Sequence, residues 1–243
     1  MTFTIDTVTY DKAARYPIDH GYGTRTTSPT AVVVHSTSNS KANTPFSSEA
    51  DYLYSSPDVS ADYLVGKDGR IVRFLDSRKH YAWHAGGKQP DGTWTAQPAF
   101  ANPKSIGIEL HHSTPDPPYP AVQLDALGWL LKQLVPQFHI AVAMIDTHGQ
   151  IALPGPYVRK VDPDDWPHSQ FIAWRDELFG SASYYVRGAA IHEGPGLGFP
   201  IALGGTAFLP SGGTAEIDEI KPGGWGHLKD GRGFVLLEQL SRL

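Results

Sequence analysis

Ala31-Val32-Val33-Val34 is an unbroken apolar run of mostly β-branched residues that ends on His35, and it predicts a short buried strand. Asp62–Val65 and Ile71–Phe74 predict two more strands. Lys67-Asp68-Gly69 between them carries the Asp-Gly signal of a hairpin. Ile106–Leu110 and Ala141–Ile145 read as further strands. The period then changes. Val122, Leu127, Leu130, Leu131 and Leu134 fall at helical spacing, so Ala121–Val135 predicts an amphipathic helix stopped by Pro136. Ser47-Ser48-Glu49-Ala50 opens a shorter helix through Tyr52 and Leu53, with the serines as N-cap candidates. Pro167 suits the first turn of a last helix with Phe171, Trp174 and Leu178 on one face. Residues 1–30 are polar, hold Pro17, Gly21, Gly23 and Pro29, and read as an irregular lead-in.

Strands alternating with helices imply an α/β domain, a mixed central sheet flanked by helices, over residues 1–180. Gly180-Ser181-Ala182-Ser183 reads as a linker. Residues 181–243 have strand-length apolar pieces, many glycines and no helical period, which predicts a small all-β barrel.

Composition narrows the chemistry. The chain has 243 residues, 40% of them hydrophobic, enough for one ordinary domain and a small one. Net charge is −5, and no Lys/Arg run would track a nucleic-acid backbone, so no nucleic-acid partner is expected. There is no cysteine, which excludes disulfides and thiolate metal sites. The N-terminal MTFTIDTVTYDKAARYP lacks a basic start and an apolar core, so no signal peptide is expected. No run approaches the ~20 apolar residues that span a bilayer, so membrane insertion is not expected either.

Eleven histidines without cysteine direct attention to imidazole and carboxylate ligands. His35 ends a predicted strand, His148 follows one, and Asp162 comes after a Pro- and Gly-rich loop. Two imidazoles and one carboxylate, with a fourth position left to water, form a normal catalytic zinc set. Taken singly, a histidine at a strand end more often serves as a hydrogen-bonded structural residue. Neither H-E-x-x-H nor G-x-S-x-G occurs, which leaves a serine hydrolase without its elbow.

Several segments in order carry a family resemblance. Val32-Val33-Val34-His35-Ser36-Thr37 resembles the first zinc-ligand strand of the type-2 zinc N-acetylmuramoyl-L-alanine amidases, a family that includes phage endolysins and is similar to peptidoglycan recognition proteins. Ser60–Ile71 resembles its S-A-H-Y-L-I-x-x-D-G-x-I strand pair, Tyr81–Gly86 its A-W-H-A-G loop, and Ser105–Leu110 its S-I-G-I-E-L strand. Thr147–Ala152 and Arg159–Pro163 resemble its G-H-S-D-I-A and G-R-K-x-D-P pieces.

The resemblance implies His35, His148 and Asp162 as ligands of Zn2+, Glu109 as general base or acid, and Lys160 as a cation near the developing oxyanion. For substrate binding it implies His84, as a substrate-contacting or transition-state-stabilising residue, and Trp83, as cleft wall or core, with bacterial peptidoglycan as the partner. The bond cut would join the muramic acid lactyl group to the first alanine of the stem peptide. With no signal peptide, it implies an enzyme made in the cytoplasm that reaches the wall after release, as an endolysin does, or one exported by an unseen route. Two other readings stay open on the same fold: a non-catalytic peptidoglycan-binding protein, and a metallopeptidase cutting within the stem peptide.

Three departures from the family matter. Asp62 stands where the family often has histidine, and Ala61 where one branch has a catalytic tyrosine. The His148–Asp162 loop is also long, so Asp164 or Asp165 could replace Asp162, although Lys160 and Pro163 flank Asp162 in the family's manner. His111 and His112 are read as non-ligands. In the C-terminal piece, Ile191–Gly196, Gly223–Leu228 and Asp230–Val235 resemble segments of bacterial SH3-like domains. That resemblance implies a cell-wall-binding barrel over 181–243, with its wall-binding residues unknown.

Overall fold

Every residue of β3 (Ala31–Ser36) is buried, which is the environment its apolar composition requires. The computed structural model describes residues 2–7, 21–38, 43–113, 119–179, 182–186, 189–192, 195, 208–209, 214–221, 224–228, 233–237 and 240–242. Two compact units divide the chain, Met1–Arg175 and Asp176–Leu243.

In the first unit, β3 belongs to a six-stranded sheet with β1 (Ile5–Thr7), β4 (Tyr63–Val65), β5 (Ile71–Arg73), β7 (Ser105–Leu110) and β8 (Ile145–Thr147), in the order β1-β5-β4-β7-β3-β8. The sheet is mixed: β4, β7, β3 and β8 run parallel in turn, and only the β4–β5 hairpin is antiparallel. Gly69, at φ +82°, makes that turn possible. β2 (Tyr22–Thr24) and β6 (His80–Ala82) form a separate antiparallel pair. The helices are α1 (Phe46–Ser55), α2 (Ala121–Phe138), α3 (His148–Ile151) and α4 (His168–Phe179).

Register assigns the faces of the two central strands. Ala31, Val33 and His35 lie beside Ser105, Gly107 and Glu109. Successive side chains alternate across a strand, so these six share one face. Val32, Val34, Ile106, Ile108 and Leu110, all fully buried, take the other. On the first face Ala31 and Val33 pack with Ala85, Ala96, Phe100 and Ile151. On α2, Leu127, Leu130, Leu131 and Leu134 are buried as their spacing requires. Gln123 on its first turn donates to the carbonyls of Val65 (2.9 Å) and His111 (3.1 Å), tying the helix to β4 and to the segment after β7.

Some local expectations fail for physical reasons. The lead-in contains β1 and β2; β1 is an edge strand held by main-chain pairing with β5 and mostly exposed, so it needs no apolar pattern. Residues 8–20 of that lead-in lie outside the described residues. The N-cap of α1 is Pro45, with no side-chain bond, so Ser47 and Ser48 sit inside the helix. Pro136 does not stop α2, which runs on to Phe138 and closes at His139 in the left-handed conformation. Pro136 and Lys132, whose carbonyl loses its helical N–H partner, both lie on the exposed face, where water can serve that carbonyl. Val142–Met144 is a 3-10 turn and the strand starts at Ile145. The two buried residues, Val142 and Ile145, are three apart, the eclipsed spacing of a 3-10 turn.

Asp62, just before β4, is completely buried. Its carboxylate accepts the Gly107 N–H (2.9 Å) and the Ser77 hydroxyl (2.7 Å), stitching this segment to β7. Burial outweighs these bonds and the Arg25 charge, and pushes the carboxyl up to about 6. A carboxyl raised on folding adds stability that is fully present below its unfolded value, about 4, and is lost as pH rises through the folded one. Asp62→Asn keeps the shape and cannot ionise. Relative to the wild type it should gain about 2 kcal/mol on going from pH 4 to pH 8. Denaturant unfolding at both pH values measures this, and a pH-independent difference would refute it.

In the second unit, β9 (Ala182–Val186), β12 (Thr214–Lys221), β13 (Trp225–Leu228), β14 (Phe234–Leu236) and β15 (Leu240–Arg242) form an antiparallel sheet in the order β14-β13-β12-β9-β15. β10 (Ala189–Ala190) and β11 (Phe208–Leu209) make a second, two-stranded one. Ile191, Ala215, Ile217, Trp225, Leu228 and Val235 are buried. Half of the expected linker, Ala182-Ser183, is the start of β9. Glu193, Gly194, Gly196, Gly223 and residues 230–232 of the SH3-like segments lie outside the described residues. Among the described residues, no helix is long and apolar enough to cross a membrane.

Candidate active site

Three parallel strands end at one edge of the sheet, and each delivers a side chain there. His35 is the fifth residue of β3, Glu109 is its register partner on β7, and His148 begins α3 directly after β8. Crevices beyond the carboxyl ends of parallel strands are where open α/β sheets bind ligands. Asp162 reaches the same place from the loop after α3. Gly149 allows that approach: its N–H donates to the Asp162 carbonyl at 2.7 Å, and an added Cβ would lie 3.2 Å from the Val161 carbonyl carbon.

The Asp162 Oδ2 atom lies 3.1 Å from His35 Nδ1 and 3.0 Å from His148 Nδ1. The three ligand atoms are all within 4.8 Å of one another, and the three residues are buried. Burial, with His35 adding to it, lowers His148 to about 4 and so keeps it neutral, the form that binds a metal. Burial alone would raise Asp162. The close contacts of its Oδ2 with His148 and His35 overcome this and hold it well below the ordinary carboxylate range. Among the described residues, neither His148 Nε2 nor Glu109 Oε2, both buried, has a hydrogen-bond partner. Three converging donors of nitrogen and oxygen type fit a divalent cation such as zinc.

Glu109 stands beside this group, with Oε1 4.0 Å from His35 Nδ1. Burial pushes its carboxyl up to about 7; the charges of Asp162 and Glu49 act the same way, against His35 and Lys160. A carboxyl near neutrality can both take and give a proton. Lys160 is exposed on the rim, and with His35, His84, Trp83 and Glu109 it lines a cleft of about 780 Å³. An adjoining cavity of about 670 Å³ shares Trp83, His84, His148, Arg159 and Lys160 with it and adds Trp94.

His84 has both ring nitrogens engaged. Nδ1 is 3.0 Å from His35 Nε2, and Nε2 is 3.1 Å from the Ser105 hydroxyl. Burial, with the charges of His35 and His148, holds it well below the ordinary histidine range. His111 bonds the Thr44 carbonyl (2.8 Å) and His112 meets Asp165 (3.3 Å), so neither joins the cluster. Asp165, paired with His112, and Asp164 also stay outside it.

Sequence reasoning missed the supports of the Asp162 loop. The Asp164 N–H donates to the Ser36 hydroxyl (3.0 Å), and the Tyr119 hydroxyl donates to the Asp164 carbonyl (2.7 Å). Ser36 directly follows His35, which was the only available signal. Tyr119 carried none.

An α/β protein with a mixed sheet and a His-His-carboxylate cluster at its strand ends is the class that fold and site define. The N-acetylmuramoyl-L-alanine amidase family (Amidase_2) matches residues 25–165, more than half of the chain, and the chain belongs to that family. N-acetylmuramoyl-L-alanine amidase activity is accordingly its function. Among solved structures, the PlyG catalytic domain is similar at TM-score 0.54 and 20% identity, over 72% of this chain and 93% of that one. A mutant endolysin from Bacillus subtilis follows at 0.52 and 21%, over 73% and 99%. A selenomethionine derivative of AmpD gives 0.51 and 24%, over 72% and 99%. At such identities the likeness shows the fold. No curated protein matches the chain.

Proposed function

We propose that this amidase is a zinc enzyme of bacterial peptidoglycan in which His35, His148 and Asp162 hold the ion, and Glu109 and Lys160 serve the reaction. The convergence of three donor atoms within 4.8 Å at the strand ends carries this reading. When bound, zinc supplies Lewis-acid chemistry, polarising a carbonyl and making water acidic near neutral pH. Glu109 takes a proton from the attacking water as its oxygen bonds to the lactyl carbonyl carbon. It returns that proton to the alanine nitrogen as the C–N bond breaks. Lys160, on the rim, places positive charge where the carbonyl oxygen becomes anionic. Trp83 and His84 form the wall against which substrate lies. The products are the muramoyl carboxylate and a whole stem peptide with a free amino terminus.

In this reading residues 181–243, within the Asp176–Leu243 unit, form an SH3-like wall-binding barrel. Its short antiparallel strands around Trp225 and Val235 support that. A tethered wall-binding module raises local substrate concentration without a catalytic contact. One comparison tests both halves. The full chain and a chain ending at Gly180 are given purified wall and soluble muropeptides, with and without chelator, and fragment masses are read. Whole stem peptides should appear in both cases and vanish with chelator, and the shorter chain should clear intact wall more slowly. Fragments cut within the stem would instead indicate a peptidase. Equal wall clearance at physiological salt would remove the targeting role.

A further inference from the structure

The bonds around His84 form a directed chain, and its direction is fixed from the far end. The Ser105 hydroxyl lies 2.8 Å from the Phe100 carbonyl and 3.2 Å from that of Ala101. A carbonyl oxygen can only accept, so Ser105 spends its single proton there. Towards His84, at 3.1 Å, the Ser105 oxygen must therefore accept, which places the His84 proton on Nε2. The lone pair of a neutral His84 then sits on Nδ1, 3.0 Å from His35 Nε2, and accepts a proton held there. His35 Nδ1, the atom that faces Asp162, is then the nitrogen left to offer a lone pair.

We infer that His84 and Ser105 are positioning residues that fix the tautomer and ring orientation of His35, so that Nδ1 and not Nε2 is offered to a cation. The inference rests on the reading of His35 as a metal ligand. Three features hold the relay in place. The Asn102 side-chain oxygen accepts the backbone N–H groups of His84 (3.1 Å) and Ala85 (2.8 Å). Gly107 leaves room for the ring: a Cβ there would lie 2.5 Å from His84 Cγ. Ser105, Gly107 and Glu109 occupy alternate positions on one face of β7, so the strand that presents the carboxylate also seats and anchors the relay. A second partner that sets the tautomer of a ligating histidine is worth ~10–100-fold in metal affinity.

The test uses the full chain loaded with zinc. Nitrogen-15 imidazole spectra should show His35 protonated on Nε2 in the wild type. In competition with a chelator, His84→Ala should lose ~10–100-fold in zinc affinity, and Ser105→Ala a smaller factor in the same direction. His84→Asn should recover much of the loss, because its amide oxygen can accept from His35 Nε2. A zinc-loaded wild type with His35 protonated on Nδ1 overturns the relay while leaving the metal reading intact, as does a His84→Ala chain binding zinc within about twofold of wild type. The spectrum of the wild type decides even if His84→Ala fails to fold. A wild type that takes up no zinc removes the metal reading itself, and the relay with it.

Discussion

Glu109→Gln should lower turnover on purified wall by a factor of about 10²–10⁴, the range that a positioned general acid–base contributes, while zinc content stays at the wild-type level. The two halves of that expectation come from different observations. Glu109 lies outside the group of three converging ligand atoms, although its Oε1 is 4.0 Å from His35 Nδ1. Removing its charge should therefore leave the cation-holding set whole. Its carboxyl is pushed up to about 7, chiefly because burial disfavours the charged form. A neutral amide of the same shape relieves that cost, so the variant should melt no lower than the wild type at about pH 8. Lost turnover with retained metal and retained stability isolates proton transfer as the missing element. Wild-type rates in the variant would remove Glu109 from the mechanism. Lost metal would make it a ligand.

How much of this was legible in the sequence depends on what held each residue. Strands β3 and β7 are buried on both faces, so their composition announced them, and His35 and Glu109 came with their rigid ends. Edge strand β1 is held by main-chain bonds that leave no mark on side-chain pattern. Asp162 could be told from Asp164 and Asp165 only by its flanking motif, because three acidic residues within four positions offer the same chemistry. The loop conformation makes the choice. Asp165 takes φ +58° and turns to His112, while Asp162 turns to both histidines. The use of His84 was least accessible. Its bonds depend on the parallel register of β3 with β7 and on the space above Gly107, both products of tertiary pairing across more than seventy residues. In retrospect the alternation Ser105-x-Gly107-x-Glu109 spells out an anchor, a gap and a carboxylate on one face. That is intelligible only once the neighbouring strand is known.

Asp162→Ala should cost more zinc affinity than any change at His84 or Ser105, beyond the ~10–100-fold of a supporting residue, and should abolish wall hydrolysis. A ligand set of two imidazoles and one carboxylate has little redundancy. Asp162 Oδ2, moreover, faces the Nδ1 atoms of both histidines, at 3.1 and 3.0 Å. Its removal leaves two buried imidazoles with ring centroids 4.4 Å apart and takes away the carboxylate that faces both. Thermal unfolding separates the ligand role from general damage. A metal that binds only the folded chain stabilises it by about 4 kcal/mol at a thousand times its dissociation constant, so added zinc should raise the wild-type melting temperature. It should leave that of Asp162→Ala where it was. Asp164→Asn and Asp165→Asn provide the contrast: both lie outside the cluster, so both should keep the zinc-dependent rise. A rise preserved in Asp162→Ala and lost in one of those two would move the third ligand along the loop, and the proton-transfer geometry around Glu109 would have to be drawn again from the new centre.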